Sequence, residues 1–493
     1  MRRAAVRLLV LAALVAVTWA PAWGGAPIGL RLGQRIALPG SAVKTVVAEF
    51  LDPEDTKLGR PIALVLGGEL LDAISDLPGA GVLVGTDAEG AGILRRLGGG
   101  YHRAAVAIAR EQGAIAALWG TIEGTRDRVE LESFVSQVPD TALGGLKVEL
   151  EWAGRAVPGF SATIPPRSFH LASRTLTRDE LFARPLAILR GPRSVRSEPA
   201  RSAPALGLVG PDDAVQGMDL QGGWWRVTLE NGTAGWLEHD ENDVRIPPRQ
   251  MVALGAKIPI YDRPGATEPQ GKRSFRGTYR VLAARYTARG TWVRVPLKPT
   301  NETKGDGSGE TAWVPAASFR AEYSLPVVHL IAGLYRYRMQ RYSEAARDFH
   351  AFIDAAGSAE DNVTLAVAYQ LAGLSRLQGP ARDHDALEDF RRSVELTPFD
   401  ASAYALRALG GITVADEVPK TAIEDLNEAL RLDPRDPTAR DLVGAMQKLL
   451  STPSVDARIP QLEHSLRGRE KDVWILQARR EAYPDSAYGR VSK

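Results

Sequence analysis

The feature that most constrains this chain is a tryptophan hairpin: Trp224-Trp225-Arg226-Val227, a turn at Glu230-Asn231-Gly232-Thr233, then Gly235-Trp236-Leu237. Asn-Gly accepts positive φ at little cost, so it closes two short antiparallel strands in a defined register. Side chains alternate between the two faces of a strand, so Trp224 and Trp225 cannot both enter one core. At least one faces a groove, a neighbouring domain or solvent. The chemistry offered is recognition, and no catalytic group accompanies it.

At 493 residues and 44% hydrophobic content, the chain is long enough for three or four globular domains. Arg2, Arg3 and Arg7 flank an apolar run from Leu8 to Val17, followed by Ala20-Pro21-Ala22. That order is expected of a secretory signal over residues 1–22, cleaved after Ala22; the apolar run is about half the roughly 20 residues that span a bilayer. Lys and Arg number 61 against 59 Asp and Glu, and without the three leader arginines the balance is 58 to 59. A nucleic-acid partner is therefore not expected. No transmembrane segment is expected after signal removal. The chain has no cysteine, so neither disulfides nor a lipid-modified amino-terminal cysteine is available. A periplasmic or secreted protein of the bacterial cell envelope is expected.

Residues 26–180 read as one α/β domain. Val46–Phe50 is a buried strand, and Ile62, Leu66, Leu70, Ala73 and Leu77 recur at helical spacing. A strand at Val82–Val84, a helix at Arg103–Arg110 and strands at Ile115–Trp119 and Val129–Val135 follow, and Val148, Leu150 and Trp152 alternate with charged neighbours. The stretch Ala104–Gln112 leading into Ala116–Gly124 resembles the small α/β domain at the amino end of TolB and in CsgG-like and FlgO-like envelope proteins. No ligand is carried over from that resemblance.

The tryptophan hairpin, with Val195-Arg196-Ser197-Glu198-Pro199 before it, resembles the bacterial SH3-like barrel, which takes residues 184–247. A second copy is expected over 251–321. Lys257–Asp262 and Tyr279–Leu282 supply its strands, Trp292-Val293-Arg294-Val295 takes the role of Trp225-Arg226-Val227, and Ala312-Trp313-Val314 that of Gly235-Trp236-Leu237. Pro296–Thr311 is a polar insertion between them. What the resemblance implies is peptide recognition, by Trp224, Trp225, Trp236, Tyr261, Trp292 and Trp313.

In the last third, Ala345, Ala386 and Ala422 each precede an apolar residue by four positions: Phe349, Phe390 and Leu426. The alanines are 41 and 36 residues apart, and Pro398 and Pro434 each follow by twelve. The pattern resembles the tetratricopeptide repeat, whose period is 34 residues, with the surplus in loops. Small residues at Gly333, Gly373 and Ala408 let paired helices approach, and the Phe and Leu side chains fill the space between pairs. Repeats over 325–450 would be closed by helices at Thr438–Leu450 and Glu470–Ala482, with a frayed tail after Tyr483. Groove binding is what the resemblance implies, by Leu330, Leu334, Tyr337, Arg338, Gln370, Leu374 and Gln378 on the first helix of each pair.

A catalytic constellation is not found. The seven histidines are scattered without His-Glu-x-x-His spacing, and no Gly-x-Ser-x-Gly elbow or Walker A loop is present. Asp52, Glu54 and Asp55 read as solvated turn residues, and Asp240, Glu241 and Asp243 lack Ca²⁺-loop spacing. No catalytic residue, metal or cofactor is expected. The expected fold is multidomain: an α/β domain, two small SH3-like β-barrels, then an all-α tetratricopeptide array. The expected function is a non-enzymatic exported scaffold or adaptor holding an envelope protein or peptide. The alternative is a wall-associated protein that binds peptidoglycan through the barrels.

Overall fold

The computed structural model describes residues 30–32, 43–84, 101–138, 146–152, 155–164, 168–240, 242–255, 257–300, 310–379, 384–415, 418–451, 464 and 466–482. The expected leader over 1–22 and the tail after Tyr483 lie outside the described residues. Strands fill the amino-terminal two thirds and helices the remainder.

The first region contains β1 (Leu30–Leu32), β2 (Val43–Val47), β3 (Ala80–Val84), β4 (Ala116–Gly124), β5 (Arg128–Gln137), β6 (Leu146–Trp152), β7 (Arg155–Ile164) and β8 (Ser168–Thr177). Six of these make one sheet in the order β1-β3-β2-β4-β5-β8, parallel from β1 to β4 and antiparallel at β5 and β8. β6 and β7 form a separate hairpin. β3 reads Ala-Gly-Val-Leu-Val and is buried throughout, because a parallel strand is covered on both faces. Helix α1 (Gly59–Ala73) lies on one face and α2 (Tyr101–Glu111) on the other. α1 is buried over almost all its surface, so it has neighbours on the side away from the sheet as well.

One of those neighbours is the first β unit. A short helix α3 (Arg178–Phe182), held by a Thr177–Glu180 capping box, leads into β9 (Arg184–Ile188), β10 (Arg193–Arg196), β11 (Ala205–Val209), β12 (Val215–Gln221), β13 (Trp224–Leu229), β14 (Ala234–Glu238) and β15 (Val244–Arg245). They form a seven-stranded sheet, β11-β10-β14-β13-β12-β9-β15. A second β unit follows: β16 (Gln250–Ala253), β17 (Ile258–Ile260), β18 (Gly271–Arg273), β19 (Thr278–Arg280), β20 (Ala283–Thr287), β21 (Gly290–Pro296), β22 (Thr311–Pro315) and β23 (Phe319–Glu322). Its strands make three small sheets around a separate core that includes Phe275, Tyr279, Val293, Val314 and Phe319. The two units are tied by Arg294 to Glu230 at 3.2 Å and by the Arg285–Asp212 ion pair.

The carboxyl-terminal third is α4 (Val327–Arg338), α5 (Tyr342–Ala356), α6 (Asn362–Gln378), α7 (His384–Leu396), α8 (Ala401–Val414), α9 (Lys420–Leu432), α10 (Pro437–Ser451) and α11 (Glu470–Ala482). Consecutive helices from α4 to α10 pack against one another, and α6, α8 and α10 also touch as an inner layer. Close approach follows from small residues, as the spacing implied. A methyl group on Gly333 would sit 2.6 Å from the Phe349 ring, and one on Gly373 2.7 Å from Phe390.

That inner layer is not an open groove. α4 packs on α1, α6 meets β8, and the β6–β7 hairpin lies along α8 and α10. Tyr335 donates its hydroxyl hydrogen to the Gly81 carbonyl, and Arg336 reaches the Ala73 carbonyl at 2.8 Å and Asp76 at 3.0 Å. Glu360 accepts from the Ala172 N–H at 3.0 Å, and Arg174 donates to the Ala355 carbonyl at 2.8 Å. One hydrophobic cluster consequently runs from Leu66 through Trp225 and Leu330 to Phe390 and Leu430. No helix among the described residues is long and apolar enough to cross a membrane.

Candidate functional site

The seven residues expected on a helical groove are spent inside the molecule. Leu330, Leu334, Tyr337, Gln370 and Leu374 are buried, and Arg338 and Gln378 are half-buried. Tyr337 stacks edge-on against Tyr342, and Gln370 donates to Ser393 at 2.9 Å and Asp400 at 3.1 Å. Two things cover them: the array's own helices take up Tyr337 and Gln370, and the α/β region packs α1 on α4 and β8 on α6. These positions correct the expectation of an accessible groove.

In the first β unit the alternation separates the tryptophans as strand geometry demands. Trp225, Val227, Leu237 and Val195 are fully buried and point inward. Trp225 packs on Gly217, where an added methyl would sit 2.7 Å from the indole, and meets His239 edge-on at 6.5 Å. Burial pushes the His239 imidazole down to about 4, so it is neutral in this core. The outward residues form two rows fixed by the ladder. Arg196, Trp236 and Arg226 are cross-strand neighbours in one, and Glu238 and Trp224 in the other. Trp224 and Trp236 are half-buried and Arg226 is exposed. Leu206 and Leu208, on the adjoining β11, are 49% and 63% exposed. Arg201 grips Glu238 with two guanidinium nitrogens, at 2.9 and 2.6 Å.

The second unit repeats this pairing, with one correction. Trp292, Val293, Arg294 and Val295 face Pro315, Val314, Trp313 and Ala312, as Trp224 to Val227 face Glu238 to Gly235. Trp292 therefore stands in the place of Trp224, and Val293 fills the core position of Trp225. The outward face is closed here. Tyr261 stacks edge-on over Trp292 at 4.8 Å, Trp292 is 5% exposed, and Tyr261 and Trp313 are half-buried. Of the six aromatic candidates, Trp224 and Trp236 line the open face of the first unit.

Sequence reasoning missed three features. Glu69 and Asp72, one turn apart on α1, form a buried polar junction between regions. Glu69 pairs with Arg184 and accepts from the Ser324 N–H at 3.0 Å, while Asp72 accepts from the hydroxyls of Tyr286 and Tyr323. The available signal was an acidic pair on an otherwise apolar helix. A cavity of about 520 Å³ opens between α7, α8 and α9, lined by Leu387, Arg391, Arg407, Gly411, Val414 and Asp425. Arg407 and Asp425 form a two-pronged ion pair there, at 2.9 and 2.6 Å. The third feature is the exposed apolar strand β11 itself. Among the described residues no group of three His, Asp or Glu side chains converges to hold a metal.

No family model and no curated protein matches the chain. Solved structures, three of which follow, are similar over about a third of it. One is described as the crystal structure of MamA, at 16% identity over 32% of this chain and 81% of that one, with a TM-score of 0.23. A MamA RS-1 ArsTM double mutant matches at 19% identity over 32% and 78%, TM-score 0.22. A further MamA protein matches at 15% over 33% and 78%, TM-score 0.23. Likenesses this weak say nothing of function.

Proposed function

We propose that this protein is a non-enzymatic scaffold of the bacterial cell envelope that holds an extended peptide segment of a partner protein. In this proposal the helical array is of tetratricopeptide type and the β units are of SH3-like type. The array works as a cradle for the α/β domain, and docking falls to the first β unit. The observation that supports it is the open outward face of that unit, where Trp236 lies between Arg226 and Arg196 on neighbouring strands and Trp224 lies in the adjoining row. Half-exposed tryptophans with flanking arginines are the residue types that dominate binding energy at protein interfaces.

A photoreactive phenylalanine analogue placed at position 236 of the full-length protein tests this in cells. A covalent product with one envelope protein is expected, lost when Trp224→Ala and Arg226→Ala are added. No product, or a product indifferent to those changes, would overturn it. Peptidoglycan is the competing ligand: co-sedimentation with purified sacculi that drops about tenfold or more on Trp236→Ala would replace the protein partner with the wall.

A further inference from the structure

A cleft of about 560 Å³ opens where several parts of the molecule meet. Its lining comes from β8, the last strand of the six-stranded sheet, from α3 and the start of β9, from the beginning of β16 and the end of β23, and from Ala359 in the turn between α5 and α6. Sites that take small molecules run from roughly 300 to 1,000 Å³.

Three arginines line it: Arg174, Arg184 and Arg249. The charge of Arg184 is already used, because it pairs with the buried Glu69 and donates to the Leu181 and Glu180 carbonyls. The other two have no carboxylate within ion-pair distance among the described residues. Arg174 gives one nitrogen to the Ala355 carbonyl at 2.8 Å, and the Nε of Arg249 is buried without a hydrogen-bond partner. Both side chains are half-buried, and burial holds both guanidiniums below the usual arginine pKa. Arg249 is disfavoured further by the charges of Arg184 and Arg280. The two carboxylates of the cleft do not serve as counterions. Glu180 is taken by the Thr177 cap, accepting from its N–H at 2.7 Å and its hydroxyl at 2.8 Å. Glu322 is acted on by Arg320, which is itself paired with Asp354 at 2.6 Å. Charges withdrawn from water are ordinarily paired, so two unpaired guanidiniums on one cleft leave a place for an anion.

We propose that this cleft binds a small hydrophilic molecule that carries an oxyanion, phosphate or carboxylate, on a hydroxylated body. Arg249 and the remaining nitrogens of Arg174 take the oxyanion, since the guanidinium fork matches carboxylate and phosphate geometry. Ser173, Thr175 and Gln250 meet the hydroxyls, and Glu322 accepts from them. Leu176, Ala359 and the Tyr323 ring are the main apolar surfaces present, so a hydrophobic ligand is not what the lining selects. A molecule bound there touches the α/β domain, the second β unit and the helical array together, and stabilises that arrangement by mass action.

Isothermal titration of the full-length protein tests this with glucose 6-phosphate, glucuronate, inorganic phosphate and glucose. Glucose 6-phosphate or glucuronate is expected to bind saturably, and whichever does so identifies the oxyanion. Inorganic phosphate and glucose should each bind at least about tenfold more weakly, because each offers only part of the contacts. Arg249→Gln and Arg174→Gln are each expected to weaken binding about tenfold or more, whereas Arg391→Gln, outside the cleft, leaves it unchanged. A second readout needs no ligand. Arg249→Gln should raise the melting temperature of the ligand-free protein by about 1–3 °C, since it removes a charge without a counterion. No binding of glucose 6-phosphate or glucuronate at about 10 mM would overturn the proposal. So would an affinity unmoved by both cleft substitutions, inorganic phosphate binding as tightly as the sugar phosphate, or a lower melting temperature in Arg249→Gln. The cleft shares no residue with the outward face of the first β unit, so failure here and failure of the scaffold reading are separable.

Discussion

Asp72 shows how one side chain can report the junction between regions. Burial raises its carboxyl from 3.8 to about 6, against the pull of the Tyr286 hydroxyl, the Arg245 charge and the Tyr323 hydroxyl. Between about pH 4 and pH 6 the folded chain therefore holds a proton that the unfolded chain has lost, and this group's contribution to stability falls as pH rises through that window. Asp72→Asn keeps the neutral shape, so relative to wild type it should be more favourable at pH 7 than at pH 4, by on the order of 1–3 kcal/mol. Urea denaturation at the two pH values checks this; equal differences at both would contradict it. His329 works in the opposite sense. Burial lowers it from 6.5 to about 4, so its contribution is lost as pH falls through that interval. The acidic pair on α1 was visible in the sequence, but its partner was not: Arg184 lies 115 residues away and belongs to another region.

At the level of elements, spacing was most informative where a side chain needs a hole. Small residues at helical intervals announced the contacts of Phe349 and Phe390, because an aromatic ring between two helices leaves no room for Cβ opposite it. Adjacent glycines in α8 separate this effect from mere helix preference. A methyl on Gly410 would lie 2.8 Å from Phe390, whereas one on Gly411 would face the cavity, with its nearest neighbours at 3.8 Å. Gly410→Ala should cost about 1–3 kcal/mol, and Gly411→Ala should be neutral or stabilise by up to about 1 kcal/mol. Thermal melts of the two variants decide it, and equal effects would refute the packing account. In the β units, alternation settled that one of Trp224 and Trp225 must face outward. Which one depends on pairing across the hairpin, and the same pairing sets Trp292, expected at a recognition surface, in the place of Trp224, where Tyr261 covers it.

For the whole molecule, local patterns located many strands and helices but not the faces that meet. Periodicity is blind to contacts such as Tyr335 with Gly81, whose partners are separated by 254 residues. The inner face of the array looked available because, read alone, nothing opposes it; in the structure the α/β domain is what opposes it. Removing residues 325–493 should therefore expose the side of α1 that α4 covers, giving a fragment that binds hydrophobic dye and melts without cooperativity. A fragment with a sharp transition near that of the full chain would show the regions to be independent.

The same wrapping has a consequence for biogenesis. α1 is made early, yet the helix that covers it, α4, begins at Val327, so a long stretch of polypeptide must emerge while that greasy flank is still bare. Vectorial maturation from the amino end would leave a sticky half-product, and the last third of the chain acts as its own late-arriving chaperone.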